Sequence, residues 1–241
     1  MIITTNSLVA KYIQNMLRFS TYLEEGINDP AIFKAIFLAG GPGSGKSFIV
    51  GKTGLTSMGY KVVNSDDAFE AAMRKAGLVM NPQNIFSPKG QEIRGKAKTL
   101  TGKRQTRYLE GRLGLVIDGT GKDPNKVAGQ AEKLKELGYD TAMIFVNTDL
   151  DTALKRNRMR ERSLPDAEVE KYWKSVQANV GKFQRMFGKQ NFLVVDNSEG
   201  KNYQKETLRA YRDATKFTNK EVSNAKAKKW IDSEKAKRGI K

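Results

Sequence analysis

The stretch AIFLAGGPGSGKS, residues 35–47, decides how the rest of this chain is read. Residues 35–39 are a short continuous apolar run, as expected of a strand covered on both faces in a parallel sheet. Residues 40–47 fit G-x-x-x-x-G-K-[ST], between that strand and a helix expected over residues 47–56. Glycines let successive backbone N–H groups converge on phosphate oxygens, in conformations that a side chain would block. The helix N-terminus adds partial positive charge. The spacing therefore implies a phosphate cradle made by Gly41, Pro42, Gly43, Ser44 and Gly45. Lys46 is placed to bridge the β- and γ-phosphates of a nucleotide, and the Ser47 hydroxyl to meet Mg²⁺.

Outward from this loop, short apolar runs alternate with helical patterns. Strands are expected at residues 61–64, 114–118, 141–147 and 192–196, and helices at 67–77, 90–112, 126–137, 151–162 and 166–187. Residues 81–88, with Pro82 and Pro88, read as a loop. The alternation predicts an α/β fold with a mostly parallel five-stranded sheet and helices on both faces. Upstream, Leu8, Tyr12, Met16, Phe19 and Leu23 make one apolar stripe, which predicts a helix over residues 6–25.

The chain of 241 residues has 43 Lys+Arg against 26 Asp+Glu, a formal net charge of +17, with no His and no Cys. No imidazole base, thiol nucleophile, disulfide or Cys/His metal site is available. Chemistry must rest on carboxylates, Lys, Arg, hydroxyls and backbone amides, and any metal should be a hard ion held by oxygens. The charge favours anionic partners. No run of 18 apolar residues and no basic-then-apolar leader is present, so no membrane association and a cytoplasmic location are expected. The last 41 residues carry 13 Lys+Arg against 5 Asp+Glu and are expected to be a basic extension, helical or partly disordered. Tyr203, Leu208 and Tyr211 are expected to dock its start, and Trp230 with Ile231 its end.

Three further groups bear chemistry. Asp118 closes the third strand, beside the loop in this topology, where it can support Mg²⁺. Asp66 and Asp67 follow the second strand. One can take a proton from an attacking hydroxyl while the other caps the next helix, and we assign the base to Asp66 and the cap to Asp67. Arg156, Arg158, Arg160 and Arg162 crowd one helix, with 156/160 and 158/162 sharing faces. They suit a lid over a triphosphate, the alternative being a solvated face balanced by Glu161, Asp166 and Glu168. Residues 90–112 hold Arg94, Lys96, Lys98, Lys103, Arg104, Arg107 and Arg112 against Glu92 and Glu110. This segment either meets the acceptor, with Tyr108 stacking on a base, or packs Ile93, Leu100 and Leu109 on the core. Asp149, Asp151 and Thr152 superficially match a phosphatase D-x-D-x-T motif, but the Thr comes one residue early.

Together GGPGSGKS, VVNSDD, VIDGT and ALKRNRMRERSLPDAEVEKYWKSV resemble the small P-loop kinases, in particular the kinase half of bacteriophage polynucleotide kinase and the zeta-toxin-like kinases, over residues 36–195. The resemblance implies a P-loop NTPase fold and an ATP- and Mg²⁺-dependent phosphotransferase. Residues 1–200 would form the kinase domain, with the N-terminal helix inside 1–33, a basic acceptor-side insert at 78–113 and an Arg-rich lid at 151–165. It implies catalytic roles for Lys46, Asp66, Arg156 and Arg160, with Arg160 also on the nucleotide, and Ser47 with Asp118 at the metal. The implied acceptor is a polynucleotide or nucleotide; in the zeta-type kinases it is a nucleotide sugar. A P-loop ATPase or nucleic-acid-binding protein with no phosphoryl acceptor is the alternative from another class. The polynucleotide kinases carry an acceptor-binding Arg three residues after the base, where this chain has Phe69, leaving Arg74 or the 90–112 insert to replace it.

Overall fold

A computed structural model describes residues 27–160 and 163–240. The helix expected over residues 6–25, and Glu161 and Arg162 of the basic lid, lie outside the described residues. Five strands form one sheet: β1 Lys34–Ala39, β2 Lys61–Val63, β3 Leu115–Asp118, β4 Asp140–Asn147 and β5 Phe192–Asp196. Their spatial order is β2-β3-β1-β4-β5, and every neighbouring pair is parallel. The apolar run at residues 35–39 is thus the central strand.

Alternate residues of that strand serve opposite faces, which is why the run has no polar gap. Ala35, Phe37 and Ala39 join one core with Leu115, Ile117, Met143 and Phe145. Ile36 and Leu38 join the other with Val116, Ile144, Val146 and Val195. Helix α1, Lys46–Thr53, leaves the carboxyl end of β1 and buries Ile49 in the second core. Helix α2, Ser65–Lys75, follows β2; its Phe69 and Met73 form a third cluster with Ile85, Ile93 and Ala97.

Residues 81–88 are not a plain loop. Pro82 opens a short helix α3, Pro82–Phe86, and Pro88 opens the long helix α4, Pro88–Glu110. Proline lacks only an N–H that the first turn leaves unpaired in any case. Asn81 and Ser87 cap the two helices, accepting from Asn84 N and Gly90 N. Helix α5, Pro124–Glu136, leads to β4, and α6, Leu150–Arg158, follows it. The helix expected over 166–187 divides into α7, Asp166–Gln177, and α8, Val180–Phe187. Buried Asn179 sits at the break, its Nδ2 donating to the Gly121 and Lys122 carbonyls, so the turn is tied to the loop after β3.

The basic C-terminal extension is ordered as α9, Tyr203–Asn219, and α10, Ala225–Arg238. Its docking face differs from expectation. Tyr203, Leu208 and Tyr211 are exposed, and the small residues Thr207, Ala210, Ala214 and Thr218 are buried, because only they let α9 lie close on α1 and β5. Trp230 does anchor the end, its ring edge-on to Phe33 at 5.5 Å between centroids, with Ile231 against the same core.

An ion pair fixes the joint. Lys34, 1% exposed, donates to Asp140 Oδ2 at 3.0 Å, and Asp140 also accepts from Ser223 N and Oγ between the two terminal helices. Burial opposes the Asp140 charge, but the hydrogen bonds from Ser223 and Lys34 outweigh it and hold the carboxyl below its usual range. A group lowered in the folded state adds stability above its unfolded value of about 4, and loses it as pH falls through the folded one. Asp140→Ala leaves the Lys34 ammonium buried and unpaired, so the urea midpoint should drop by the equivalent of about 3 kcal/mol at neutral pH, with a smaller difference from wild type in acid.

Candidate active site

The glycine loop is built by backbone geometry first. Gly43 and Gly45 have φ of 75° and 85°, and a Cβ at either would come within 2.3 Å of Ala153 O or Asn197 Nδ2. Only glycine fits at both. The loop is pinned from three sides: Gly40 N donates to Thr120 O at 3.1 Å, and Ser44 O accepts from Asn197 Nδ2 at 2.8 Å and from Thr148 Oγ1 at 3.4 Å. Trp173 Nε1 donates to Thr148 O, which holds α7 beside Gly41. Gly45 caps α1 with no side-chain acceptor, leaving the first N–H groups of the helix directed into the loop.

Lys46 lies at the centre of the charges. Its Nζ donates to Gly40 O at 2.7 Å. Burial pulls its pKa down; Asp118 opposes that, Arg160 adds to it, and Asp66 opposes it. Acids and a guanidinium from three separate elements therefore act on one ammonium at the loop. Ser47 is exposed on the first turn of α1.

Asp118 ends β3 with Oδ2 accepting from Asn64 Nδ2 at 3.0 Å, while its Oδ1 is buried without a hydrogen-bond partner. Burial raises its pKa, Lys46 lowers it, and Asp67 and Asp66 raise it. An orphan carboxylate oxygen beside a phosphate loop fits a hard divalent ion. Such an ion needs one or two protein oxygens beyond those of phosphate and water, so the absence of a three-acid cluster among the described residues is no obstacle. Ser44 Oγ is likewise buried and unpartnered, inside the cradle.

The cap of α2 is Asn64, not Asp67. Asn64 Oδ1 accepts from Asp66 N at 2.8 Å, and its Nδ2 donates to Asp67 Oδ1 at 3.2 Å as well as to Asp118. The residue that precedes the first turn has the extended backbone a cap needs; Asp67 is already inside the helix. Burial raises Asp67, and Asp66 and Glu70 raise it further. Asp66 stays exposed at the loop side.

The basic helix α6 splits by face. Arg156 Nη1 donates to Asn197 O at 2.8 Å and lies 3.7 Å from a Cβ built on Gly45. Arg160 follows the helix end and bears on Lys46. Arg158 points away and pairs with Asp166, and Lys155 with Glu199. For those two the solvated-face alternative is what the structure has. Asp149 caps α6, accepting from Thr152 N and Oγ1, which disposes of the phosphatase-like spacing.

Several residues of the site carry no motif. Asn197, Thr148 and Trp173 fix the loop; Asn157, 1% exposed, exchanges two hydrogen bonds with Leu164. In the sequence Asn157 is marked by the run Lys155-Arg156-Asn157, which resembles the K-R-N run of the polynucleotide kinases. On the insert, Tyr108 and Leu109 pack against the core, Leu100 is 45% exposed, and Arg112 lies over the Phe33 ring below the sheet. Tyr108 is thus partly buried on the core, as the packing alternative has it.

A family model described as AAA domain matches residues 36–180. No curated protein sequence matches the chain. A putative kinase from Chloroflexus aurantiacus has a similar structure, with a TM-score of 0.52 at 11% identity, covering 75% of this chain and 97% of that one. The PezAT chromosomal toxin-antitoxin system of Streptococcus pneumoniae gives 0.53 at 16%, covering 87% and 96%. The AvrRxo1-ORF1:-ORF2 complex with ATP gives 0.53 at 16%, covering 75% of this chain and 62% of that one, so this chain spans less than two thirds of that relative. At such identities these likenesses establish the fold. Among the described residues no helix is long and apolar enough to cross a membrane.

Proposed function

The chain belongs to the AAA domain family, and on that premise we propose that it is an ATP-dependent phosphotransferase whose acceptor is a hydroxyl of a polynucleotide or nucleotide. The observation that carries this reading is the glycine loop itself, with Lys46 Nζ held at Gly40 O, 2.7 Å, and the buried, unpartnered Asp118 Oδ1 at the end of the adjacent strand β3. The residue roles are part of the proposal.

Backbone N–H groups of residues 43–47 and the Lys46 ammonium hold the triphosphate, and Pro42, which has no N–H, shapes the turn that aims them. Ser47 and Asp118 are the protein oxygens for magnesium, which when bound neutralises phosphate charge. Asp66, on the acceptor side, accepts the hydroxyl proton as that oxygen bonds to the γ-phosphorus and the bond to the β-phosphate oxygen breaks. ADP leaves. Arg160 stabilises charge on the transferred group, and Arg156, held by Asn197, sits against the loop where it fixes the nucleotide. Nothing in this scheme needs imidazole or thiol. It needs positioning and electrostatics, which these residue types supply.

A kinase of a nucleotide sugar, the acceptor that the resemblance to the zeta-toxin-like kinases implies, shares all of this chemistry and is the second reading. The test is incubation with γ-labelled ATP and separate pools of acceptors. Label is expected on oligonucleotide or nucleotide hydroxyls. Label on a nucleotide sugar would transfer the assignment to the second reading, and free phosphate with no labelled organic product would point to an ATPase.

A further inference from the structure

We propose that a cleft at the end of the sheet opposite the glycine loop is a second binding site, and that its ligand is a small molecule with an apolar body and a single carboxylate. The inference does not rest on the phosphotransferase reading.

The cleft follows from the way α9 leaves the sheet. β5 is an edge strand. Near its carboxyl end α9 closes that edge: Arg209 Nη2 donates to Val194 O, and Glu206 Oε2 accepts from Asp196 N. Two turns further along α9 a cavity of about 720 Å³ opens between the helix and the first residues of β5. That volume is within the roughly 300–1,000 Å³ usual for small-molecule sites. Its floor includes Ile36, Ala142 and Leu193, each in the first half of its strand, and Phe217 of α9. The glycine loop, by contrast, springs from the carboxyl end of β1. Ile36, Leu193 and Phe217 belong to or pack against the second core, and Leu193 and Phe217 are left half-buried. A smaller cavity of about 260 Å³ shares Asn191, Phe217 and Lys220 with this cleft and extends it to Asp140.

The rim decides the ligand's charge. Lys216 and Lys220 line the α9 side, and Lys189 with Gln190 and Asn191 the side before β5. Among the described residues none of the three lysines has an ion pair or a side-chain hydrogen bond. Lys216 lies in the last turn of α9 and answers the partial negative charge of that helix end. Lys220, past the end, and Lys189, before β5, have no such task. Asp213 is the one acid on the rim of the larger cavity. The deeper Asp140 is already paired with Lys34 and bonded to Ser223. Three cations therefore face one uncommitted carboxylate, and the rim attracts an anion. No arginine lines the cleft among the described residues, and the long helix beside it ends there instead of beginning, the reverse of a phosphate cradle. Ammonium groups and the side-chain amides of Gln190 and Asn191 suit the compact single charge of a carboxylate. The apolar body then covers Leu193 and Phe217.

Equilibrium dialysis of labelled octanoate against the full chain tests this, with ATP and magnesium present to fill the glycine loop and 1-octanol as the neutral counterpart. Octanoate should bind about tenfold more tightly than octanol. Decanoate should bind about fivefold or more tighter than octanoate, because two further CH₂ groups are buried. Replacing Lys216→Gln together with Lys220→Gln should lower octanoate affinity about tenfold and leave octanol unchanged. Lys98→Gln with Lys103→Gln, which removes the same charge from exposed positions on α4, should leave both unchanged. No octanoate binding to the full chain, equal affinity for octanol, no gain with decanoate, or equal losses in the two double variants would each overturn the assignment. ATP affinity, measured alongside, should be the same in wild type and both variants; a loss confined to the Lys216/Lys220 variant would mean that octanoate was reporting on the glycine loop and would also overturn it.

Discussion

Asp66→Asn should lower kcat by about 10²–10⁴-fold while ATP binding persists. The substitution keeps size and shape and removes the charge together with the capacity to take a proton. It should not disturb α2, because the cap contact runs from the Asp66 backbone N–H to Asn64 and survives any side chain at 66. The neighbouring acid is a poorer candidate. Asp67 is tied through Asn64 to Asp118, and its raised pKa reflects burial and repulsion from Asp66 and Glu70. Removing the charge at 66 also removes repulsion felt by Asp67 and Asp118, so both should ionise more readily in the variant. Any metal support from Asp118 would then be strengthened, and a fall in turnover could not be laid to a weakened metal site. Rapid-quench single turnovers with labelled ATP, beside calorimetric ATP titration, separate the two effects. Turnover near wild type would take Asp66 out of the base role.

The parts of this molecule that were legible in its sequence are those whose cause is local. The cradle at residues 40–47 needs glycine at fixed offsets because of its own backbone, and positive φ at Gly43 and Gly45 follows from the spacing alone. The same holds for strands buried on both faces, whose unbroken apolar runs at 35–39 and 142–146 announce a parallel sheet. The residues that escaped notice act at a distance. Asn197 reaches Ser44 across 153 positions, and Trp173 reaches Thr148 across 25; a lone Asn or Trp in a sequence does not say what it will meet. The break in 166–187 has the same origin, since the side chain of Asn179 is satisfied only by carbonyls of the loop after β3. At the C-terminal extension Trp230 and Ile231 anchor α10 as expected, and only the docking face of α9 differs. Size does not select the anchors there: close approach of α9 selects Thr and Ala on the buried face and leaves Tyr203 and Leu208 outside. The insert shows both possibilities at once: its apolar stripe packs inward at Ile93, Ala97 and Leu109, and its cations remain on the flank.

Lys46→Ala should abolish productive use of ATP, with kcat/KM reduced by at least about 10²–10³-fold, the effect of deleting one donor aimed at developing charge. The same change should leave the fold without nucleotide no less stable. In the folded chain the ammonium is desolvated, with one carbonyl, Gly40 O, as its neutral acceptor, and burial is the largest influence on its pKa, ahead of its attraction to Asp118. The loop does not depend on it, because Thr120, Thr148 and Asn197 pin the backbone independently. A lysine that is costly in the empty protein and essential with triphosphate has a distinctive thermal signature. The nucleotide-free melting temperature of the variant should equal or exceed wild type, while the rise that saturating ATP and magnesium produce in wild type should vanish, since ligand-linked stabilisation scales with RT ln(1 + [L]/Kd). Two results would contradict this account of the loop. Unchanged phosphotransfer in the variant would mean that the triphosphate is held elsewhere. A lowered melting temperature without nucleotide, with the ATP-induced rise retained, would make Lys46 a structural tie to Gly40 rather than a phosphate ligand.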